Sequence, residues 1–201
     1  MFHGQLLHPN WISSEKLCFV SNDGRHIGML SKVTSAHSVV FDVRRLASLP
    51  ATDTSFINGL VCGPNEEIAI QTTDDCIRFA SLKTLEEAAK SGIDDNFDLP
   101  SPPSTRLPFA CNQLYSVTFK CQQDVSRKSH FLVGFQANSH RLCLLPWSST
   151  PGVEGECVMR SCSSLVLHSD FLLITNLEHQ LITLPLSLSY AECKCSYIYR
   201  C

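Results

Sequence analysis

A strand–turn–strand pattern occurs three times in this chain. It appears as EEIAIQTTDDCIRFASL (66–82), SHFLVGFQANSHRLCLLPW (129–147) and SDFLLITNLEHQLITLPL (169–186). In each copy an apolar strand is followed by a short polar pause and a second apolar strand. Such a repeat constrains the fold because each copy must bury its apolar side chains against a neighbouring copy.

The copies are spaced by about forty residues, with one longer interval. The second strand of successive units begins at Ile27, Ile68, Phe131 and Phe171, which gives intervals of 41, 63 and 40 residues. Each of these strands is flanked by others, so three strands are predicted per unit, with room for a fourth. The flanking strands are predicted at 16–20, 56–62, 113–119 and 163–169 before them, and at 38–43, 76–82, 141–147 and 180–186 after them.

This period is typical of propeller blades, because small antiparallel sheets stacked radially cover one another and leave only short edges. The predicted fold class is therefore all-β: a partial WD40-like β-propeller of about four blades, with one short surface helix. Closed propellers have roughly four to eight blades. We therefore expect part of a larger propeller or a truncated product.

The sequences between the strands carry turn and loop signals. Asp23–Gly24 predicts a hairpin turn, and Gly63–Pro64–Asn65 predicts another. The capping-box spacing of Thr84 and Glu87, with Gly92 as a stop, predicts the helix. Acidic and proline-rich residues then predict an extended loop.

The domain prediction follows from these segments. Residues 1–187 are predicted to form the partial propeller, with loop insertions at 84–108 and 120–130 that are candidate partner-contacting surfaces, and residues 188–201 an irregular Cys-rich tail. A partial propeller exposes sheet faces on which missing blades would dock, so self-association is expected.

Charge and hydropathy exclude some classes of function. The net charge of −3 gives no electrostatic reason to expect binding to nucleic acid or to an anionic membrane surface. Arg44–Arg45 and Arg127–Lys128 are isolated basic pairs, expected in solvated loops. No apolar run approaches the roughly 18–20 residues needed to span a bilayer.

Eleven cysteines are scattered along the chain, many inside apolar strands, as Cys18, Cys62, Cys76 and Cys143 are. The first residues do not match a secretory signal. We therefore expect buried, reduced thiols and a cytoplasmic location, with the nucleus as a second compartment.

Several short groupings resemble sites of chemistry but lack the required context. His168–Ser169–Asp170 are sequence neighbours and cannot converge as a hydrolytic triad. His140 and Cys143 have a spacing seen among zinc ligands, and Cys193, Cys195 and Cys201 supply three thiols, whereas structural zinc sites normally need four ligands in paired short spacings.

Two pairs of carboxylates are also better explained by local structure. Glu66–Glu67 and Asp74–Asp75 fall at turns beside strands and have no identifiable acid or base partner. No Walker loop and no G-x-G-x-x-G motif occurs. The sequence therefore assigns no catalytic, cofactor-binding or metal-binding residue and predicts a non-enzymatic protein without a cofactor.

The order of the structural segments resembles one known family. RSCSSLVLHSDFLLITNLEHQLITLPL (160–186) is similar to the end of the second WD40-type propeller of the Elongator complex scaffold subunit family, also called the IKAP family. FINGLVCGPNEEIAIQTTDDCIRFASL (56–82) and LPFACNQLYSVTF (107–119) with FLVGF (131–135) resemble earlier segments of that propeller in the same order, and KLCFVSNDGRHIGMLSK (16–32) matches less tightly. The resemblance covers roughly residues 14–187.

The resemblance implies a scaffold that contacts other Elongator subunits and so supports modification of the wobble uridine of transfer RNAs, a reaction whose chemistry belongs to another subunit. The family's preceding propeller and following helical solenoid have no counterpart here, and its RNA-contacting and dimerisation regions lie mainly outside the matching segment. No direct contact with nucleic acid or membrane is expected from this segment.

Two other functions remain open at the level of sequence. One is an unrelated propeller scaffold, such as a coat or trafficking subunit. The other is an enzyme that brings acids and histidines together across a central channel, which the mostly apolar strand starts do not favour.

Overall fold

The computed structural model describes residues 5–34, 38–91, 99, 105–121, 128–147, 156–167, 171–185 and 187–188. The chain divides into two compact units, residues 1–103 and 104–201. Each unit is described by itself.

Unit 1 contains two antiparallel sheets and a helix. Sheet 1 has the order β1-β2-β3-β4, and sheet 2 has the order β5-β6-β7. The elements are β1 (Leu7–Trp11), β2 (Lys16–Val20), β3 (His26–Thr34), β4 (Val39–Ser48), β5 (Ile57–Cys62), β6 (Glu67–Thr72), β7 (Ile77–Ser81) and α1 (Leu82–Lys90). Every neighbouring pair of strands in these two sheets is antiparallel.

The core of unit 1 forms because apolar side chains of the two sheets pack on each other. Val20 and Ile27 of sheet 1 lie in one buried cluster with Leu60 and Ile70 of sheet 2. The first strands of the sheets are also joined directly, since the Asn10 side-chain amide donates a 2.7 Å hydrogen bond to the Leu60 carbonyl. Sheet 1 and sheet 2 therefore contact each other as neighbouring blades do.

Unit 2 also contains two sheets that pack on each other. Sheet 3 has the order β11-β10-β9-β8-β15, and sheet 4 has the order β12-β13-β14. The strands are β8 (Gln113–Cys121), β9 (Lys128–Gln136), β10 (Arg141–Pro146), β11 (Glu156–Met159), β12 (Cys162–Leu167), β13 (Phe171–Asn176), β14 (Leu181–Pro185) and β15 (Ser187–Leu188). Val133 and Leu144 of sheet 3 share a buried cluster with Leu172 and Ile174 of sheet 4.

The predicted fold class is confirmed: the described chain consists of four small sheets of the propeller-blade type and one short helix. All twelve strands predicted around the repeats are present, and β1, β11 and β15 are additional. Strand β1 is the fourth strand that the spacing allowed for in the first unit. Strand β15 differs from the rest because it pairs in parallel with β8.

The hairpin turns repeat in backbone detail. One hairpin turn in each sheet contains a single residue with positive φ. These turns are β2–β3, with Gly24 (67°), β6–β7, with Asp75 (63°), β9–β10, with His140 (56°), and β13–β14, with His179 (61°). Aspartate and histidine are among the residues enriched in this left-handed region, so three of the four turns form without glycine. The predicted turn at Asp23–Gly24 is confirmed, whereas in the turn after β5 it is Asn65 and Glu66, not Gly63, that have positive φ.

The junction between neighbouring sheets also repeats in both units. The Ile57 amide donates a 2.8 Å hydrogen bond to the Gly24 carbonyl in unit 1, and the Cys162 amide donates a 2.9 Å hydrogen bond to the His140 carbonyl in unit 2. In each case the first strand of one sheet is attached to the turn of the preceding sheet. The blade-to-blade connection therefore repeats, but it is not in register with the predicted sequence repeat, because Gly24 precedes the strand that begins the repeat at Ile27 whereas His140 follows the strand at Phe131.

The helix begins earlier than the sequence predicts. Ser81 is its N-cap and accepts a hydrogen bond from the Thr84 amide at 3.5 Å, so the assignment of Thr84 to the start of the helix was wrong. The reason is packing: Leu82 and Leu85 are almost fully buried in the core of unit 1, so the first turn of α1 lies against the sheets. The helix has one buried side and one solvated side.

The two predicted insertions are described only in part. Within 84–108, Leu99 is buried in the core of unit 1, and its amide donates a 2.8 Å hydrogen bond to the Ser48 carbonyl. Within 120–130, β8 extends to Cys121 and β9 begins at Lys128. Residues 92–98, 100–104 and 122–127 lie outside the described residues, as does all of the predicted tail after Leu188.

Candidate interaction surfaces

The two residues with zinc-like spacing, His140 and Cys143, lie in the β9–β10 hairpin. His140 is the positive-φ residue of the β9–β10 turn, and Cys143 is fully buried within β10, with its Sγ 3.8 Å from the Sγ of Cys111. The described part of the chain contains no group of three or more His, Cys, Asp or Glu residues that could hold a metal ion. His168–Ser169–Asp170 and Cys193, Cys195 and Cys201 lie outside the described residues.

The paired carboxylates lie at turns, as the sequence predicts. Glu66 and Asp75 have positive φ in the two turns that flank β6. Burial alone would raise the pKa of Asp74, but hydrogen bonds from Thr72 and Cys76 outweigh it and lower that pKa. A carboxylate held ionised in this way accepts hydrogen bonds within its turn and is a poor general acid near neutral pH.

Several of the described cysteines are buried, as the sequence predicts. Cys18, Cys76 and Cys143 are buried, Cys62 is half-buried, and none of the four forms a disulfide with another described cysteine. A hydrogen bond with Cys62 and burial raise the pKa of Cys18. The thiolate is the nucleophilic form of cysteine, so a protonated, buried Cys18 is unreactive at neutral pH.

A charged cluster organises the segment between sheet 1 and sheet 2. Arg25 donates hydrogen bonds to the carbonyls of Asp53 (2.5 Å), Ser55 (3.0 Å) and Pro50 (2.8 Å). Arg78 of β7, whose side chain is 1% exposed, forms an ion pair with the Asp53 carboxylate. Arg25 lies in the β2–β3 turn of sheet 1, and Arg78 lies in β7 of sheet 2. The connecting segment is therefore bonded to both sheets.

The Asp53 carboxylate is ionised at neutral pH. Burial by itself would raise its pKa, but hydrogen bonds from the Ser55 hydroxyl and amide and the Arg78 guanidinium together lower it to about 2. The Ser55 contacts are 2.6 Å from the hydroxyl and 2.9 Å from the amide. The described hydrogen-bond partners within this cluster all belong to the segment between sheet 1 and sheet 2 or to those sheets, so we assign it to the stability of the blade junction.

One hairpin exposes apolar side chains to an unusual degree. We define the β3–β4 arm as residues 30–34 of β3 together with residues 38–44, which comprise Ser38 and the start of β4. Its exposed apolar residues, each about half accessible, are Val33, Val39, Val40, Phe41 and Val43. Folded monomers seldom expose contiguous apolar surface without an interaction partner, so this arm is the principal candidate interaction surface of unit 1.

The arm also includes an unpaired sheet edge. Strand β4 lies at the outer edge of sheet 1, and β3 is its only neighbour among the described strands. Natural proteins usually protect such edges with short strands, charges, proline or bulges, because exposed edge groups can pair with another chain. In β4 the charged residues Asp42, Arg44 and Arg45 alternate with or follow the apolar residues, and the register with β3 shifts only beyond them, at Leu46.

Among the described residues, sheet 4 of unit 2 exposes fewer large apolar side chains than the β3–β4 arm. Leu181, at the start of β14, is 65% exposed, and Val166 of β12 is 57% exposed. They lie on the two strands that flank β13 and on the same face of sheet 4, since Val166 pairs with Leu173 and Leu181 pairs with Thr175, two residues along β13. Sequence reasoning pointed to the inserted loops as contact surfaces and did not identify the β3–β4 arm.

No helix in the described residues is long and apolar enough to cross a membrane. This finding concerns helices alone.

Comparison with known proteins gives a likeness of structure only. No protein-family model and no curated protein matches the chain. Among solved structures, it is similar to YCF48 bound to a D1 peptide, with a TM-score of 0.46 and 11% identity over 90% of this chain and 51% of that one. It is also similar to PorZ of the Porphyromonas gingivalis type-IX secretion system, with a TM-score of 0.36 and 8% identity over 87% of this chain and 26% of that one.

The chain thus spans about half the length of the YCF48 chain and about a quarter of the PorZ chain. At such low identities and TM-scores, the functions of those proteins are no guide to the function of this one, which must be argued from its own residues.

Proposed function

We propose that this chain is a non-catalytic interaction module: a scaffold segment that binds other Elongator subunits and so supports wobble-uridine modification of transfer RNA. The observation that carries this proposal is the β3–β4 arm, whose apolar side chains are exposed although both units have packed cores. The Elongator assignment itself depends on the sequence resemblance described above.

Binding through the arm has a clear physical basis. Val33 and Val40 lie opposite each other on the two strands and share one face of the sheet. Each side chain is a little over half exposed, at 51% and 56%. Covering them with a partner would remove apolar area from water, which stabilises the complex by roughly 25 cal/mol per Å² buried. The proposal places the module in the cytoplasm, with the nucleus as a second location.

A binding experiment with purified components tests this function. The tagged 201-residue chain is incubated separately with each recombinant Elongator subunit, and retention of at least one subunit is expected. Val40→Lys should weaken that retention by tenfold or more, because it places a charge where apolar contact forms. Leu181→Lys, an equivalent change at an exposed leucine of unit 2, should leave retention unchanged.

Failure of every Elongator subunit to bind would overturn the assignment. Recovery of coat or trafficking subunits instead would favour an unrelated propeller scaffold. Equal loss of binding in both lysine variants would show that the arm is not the contact surface.

A further inference from the structure

We propose that strand β4 pairs edge to edge with β4 of a second copy of this chain, joining two copies of sheet 1 into one continuous sheet. The two-fold axis passes beside Phe41. This inference goes beyond the proposed scaffold function and does not depend on Elongator binding.

The hydrogen-bonding groups available at the edge follow from the ladder. The Lys32 amide donates a 2.8 Å hydrogen bond to the Glu15 carbonyl and so points away from β4. Because backbone groups alternate along a strand, Ser31 and Val33 point toward β4. Their ladder partners Asp42 and Val40 point back toward β3.

The intervening residues of β4 therefore direct their amides and carbonyls outward. These residues are Val39, Phe41 and Val43, and within the described chain none of them forms a backbone hydrogen bond beyond the sheet. Farther along the strand, the Ser48 carbonyl is already bonded to the Leu99 amide. The open part of the edge is thus the first half of β4.

The outward-pointing residues are symmetric about Phe41. In an antiparallel pair centred on this residue, Phe41 lies opposite Phe41 of the other copy, and Val39 lies opposite Val43. Directly opposite residues share a face of the sheet, so the valines and phenylalanines of both copies form one apolar cluster. Aromatic and β-branched cross-strand pairs of this kind stabilise sheets.

The charges of the arm are compatible with the same register. Val40 lies opposite Asp42 and Ser38 lies opposite Arg44, so no like charges oppose each other between residues 38 and 44. The Asp42–Arg44 ion pair, at 2.6 Å within one copy, is undisturbed.

Lys32 would not prevent this pairing either. It lies on β3, about three strand spacings or roughly 14 Å from its symmetry mate, beyond the ~8 Å screening length at physiological salt. This symmetry favours a second copy over the strand of an unrelated partner.

The contact should be weak. Fewer than ten residues of each copy take part, against roughly 20–30 residues per partner in a stable interface. We therefore expect a dissociation constant on the order of 10–100 μM, as for other small interfaces.

Sedimentation equilibrium of the full 201-residue chain from about 5 to 500 μM tests the proposal. The wild type should pass from monomer to dimer mass over this range. Phe41→Lys should remain monomeric throughout, because it places a charge at the centre of the apolar cluster. Leu181→Lys should dimerise like the wild type, and thermal unfolding should show that both variants fold.

Amide hydrogen exchange supplies a residue-level test. On raising the concentration, the Val39, Phe41 and Val43 amides should gain protection at least fivefold, whereas those of Val40 and Asp42, already bonded to β3, should not change. Uniform protection of all five would contradict edge pairing.

Other outcomes would also overturn the proposal. These are a monomer at every concentration, a dimer that survives Phe41→Lys, or a dimer lost equally with Leu181→Lys. A monomer that binds a synthetic apolar strand with acidic flanks would identify another protein's strand as the occupant of the edge. Val40→Lys should retain the dimer, because it places a lysine opposite Asp42 of the other copy. The same variant is expected to lose Elongator binding, so failure of Elongator binding and failure of dimerisation can be distinguished.

Discussion

Arg78 and Asp53 form an ion pair across the junction between sheet 1 and sheet 2, although the arginine lies within β7 and the aspartate in the segment before β5. The Arg78 side chain is almost fully buried, and its Nε and Nη1 atoms have no hydrogen-bond partner among the described residues. The carboxylate is therefore the principal compensation for a buried charge. A buried guanidinium that loses its partner is strongly destabilising.

We expect Asp53→Asn to lower the free energy of unfolding by about 2–4 kcal/mol, somewhat less than a fully buried pair would lose, because Asp53 keeps some exposure. Urea denaturation measures the change. The matched control is Asp42→Asn, which breaks the exposed Asp42–Arg44 pair and should cost less than about 1 kcal/mol. Equal losses in the two variants would contradict the assigned role of the junction.

The same carboxylate predicts a pH dependence. The folded pKa of Asp53 is lowered to about 2, whereas an unfolded aspartate titrates near 3.9. Its contribution to stability is therefore present above pH ~4 and is lost as the pH falls toward ~2, by roughly 1–2 kcal/mol. Urea midpoints measured across this range should fall less steeply in Asp53→Asn than in the wild type. Parallel curves would show that other carboxylates, such as Asp23 and Asp74, whose pKa values are also lowered, dominate acid unfolding.

The sequence was sufficient to predict the repeated strands because their apolar runs are bounded by polar turns, and strands such as β2 begin and end at the predicted residues. It did not reveal β1, whose segment Leu7–Trp11 mixes histidine, proline and asparagine with two apolar residues. That strand is held by tertiary contacts, including the hydrogen bond from Asn10 to Leu60. Local pattern cannot indicate a bond between residues fifty positions apart.

The sequence also could not predict the Arg78–Asp53 ion pair or the exposure of the β3–β4 arm. Arg78 lies in an apolar strand, and nothing in its neighbours indicates that Asp53 is its partner. The apolar run at Val39–Val43 reads as a buried strand, because periodicity cannot distinguish a covered strand from one at an open edge. These side chains are exposed because the strand order places β4 at an edge of sheet 1, and the strand order is not encoded in the local pattern.

The repeated turns predict opposite effects of glycine at equivalent positions. Gly24→Ala should destabilise the protein by about 1–2 kcal/mol, because φ is +67° there and L-residues disfavour that region. His179→Gly, at φ +61° in an exposed turn, should raise stability by up to about 1 kcal/mol through relief of the same cost. Thermal unfolding of both variants measures the signs. A stabilising Gly24→Ala would contradict the turn geometry.

A last prediction concerns the pairing of Phe19 with Gly28 across the β2–β3 ladder. The Phe19 ring covers the glycine so closely that a Cβ at position 28 would lie 2.4 Å from the Phe19 Cζ. Because the ring is fully buried and cannot move into solvent, Gly28→Ala should cost about 1–3 kcal/mol through overpacking.

The double variant Gly28→Ala with Phe19→Leu provides the control, since the shorter side chain leaves room for the added methyl group. Its free energy of unfolding, measured in urea with both single variants, should lie at least 0.5 kcal/mol above the additive expectation, as for residues in direct contact. Strict additivity would mean that the ring and the backbone at residue 28 do not constrain each other. The cost of Gly28→Ala would then have to arise elsewhere in sheet 1.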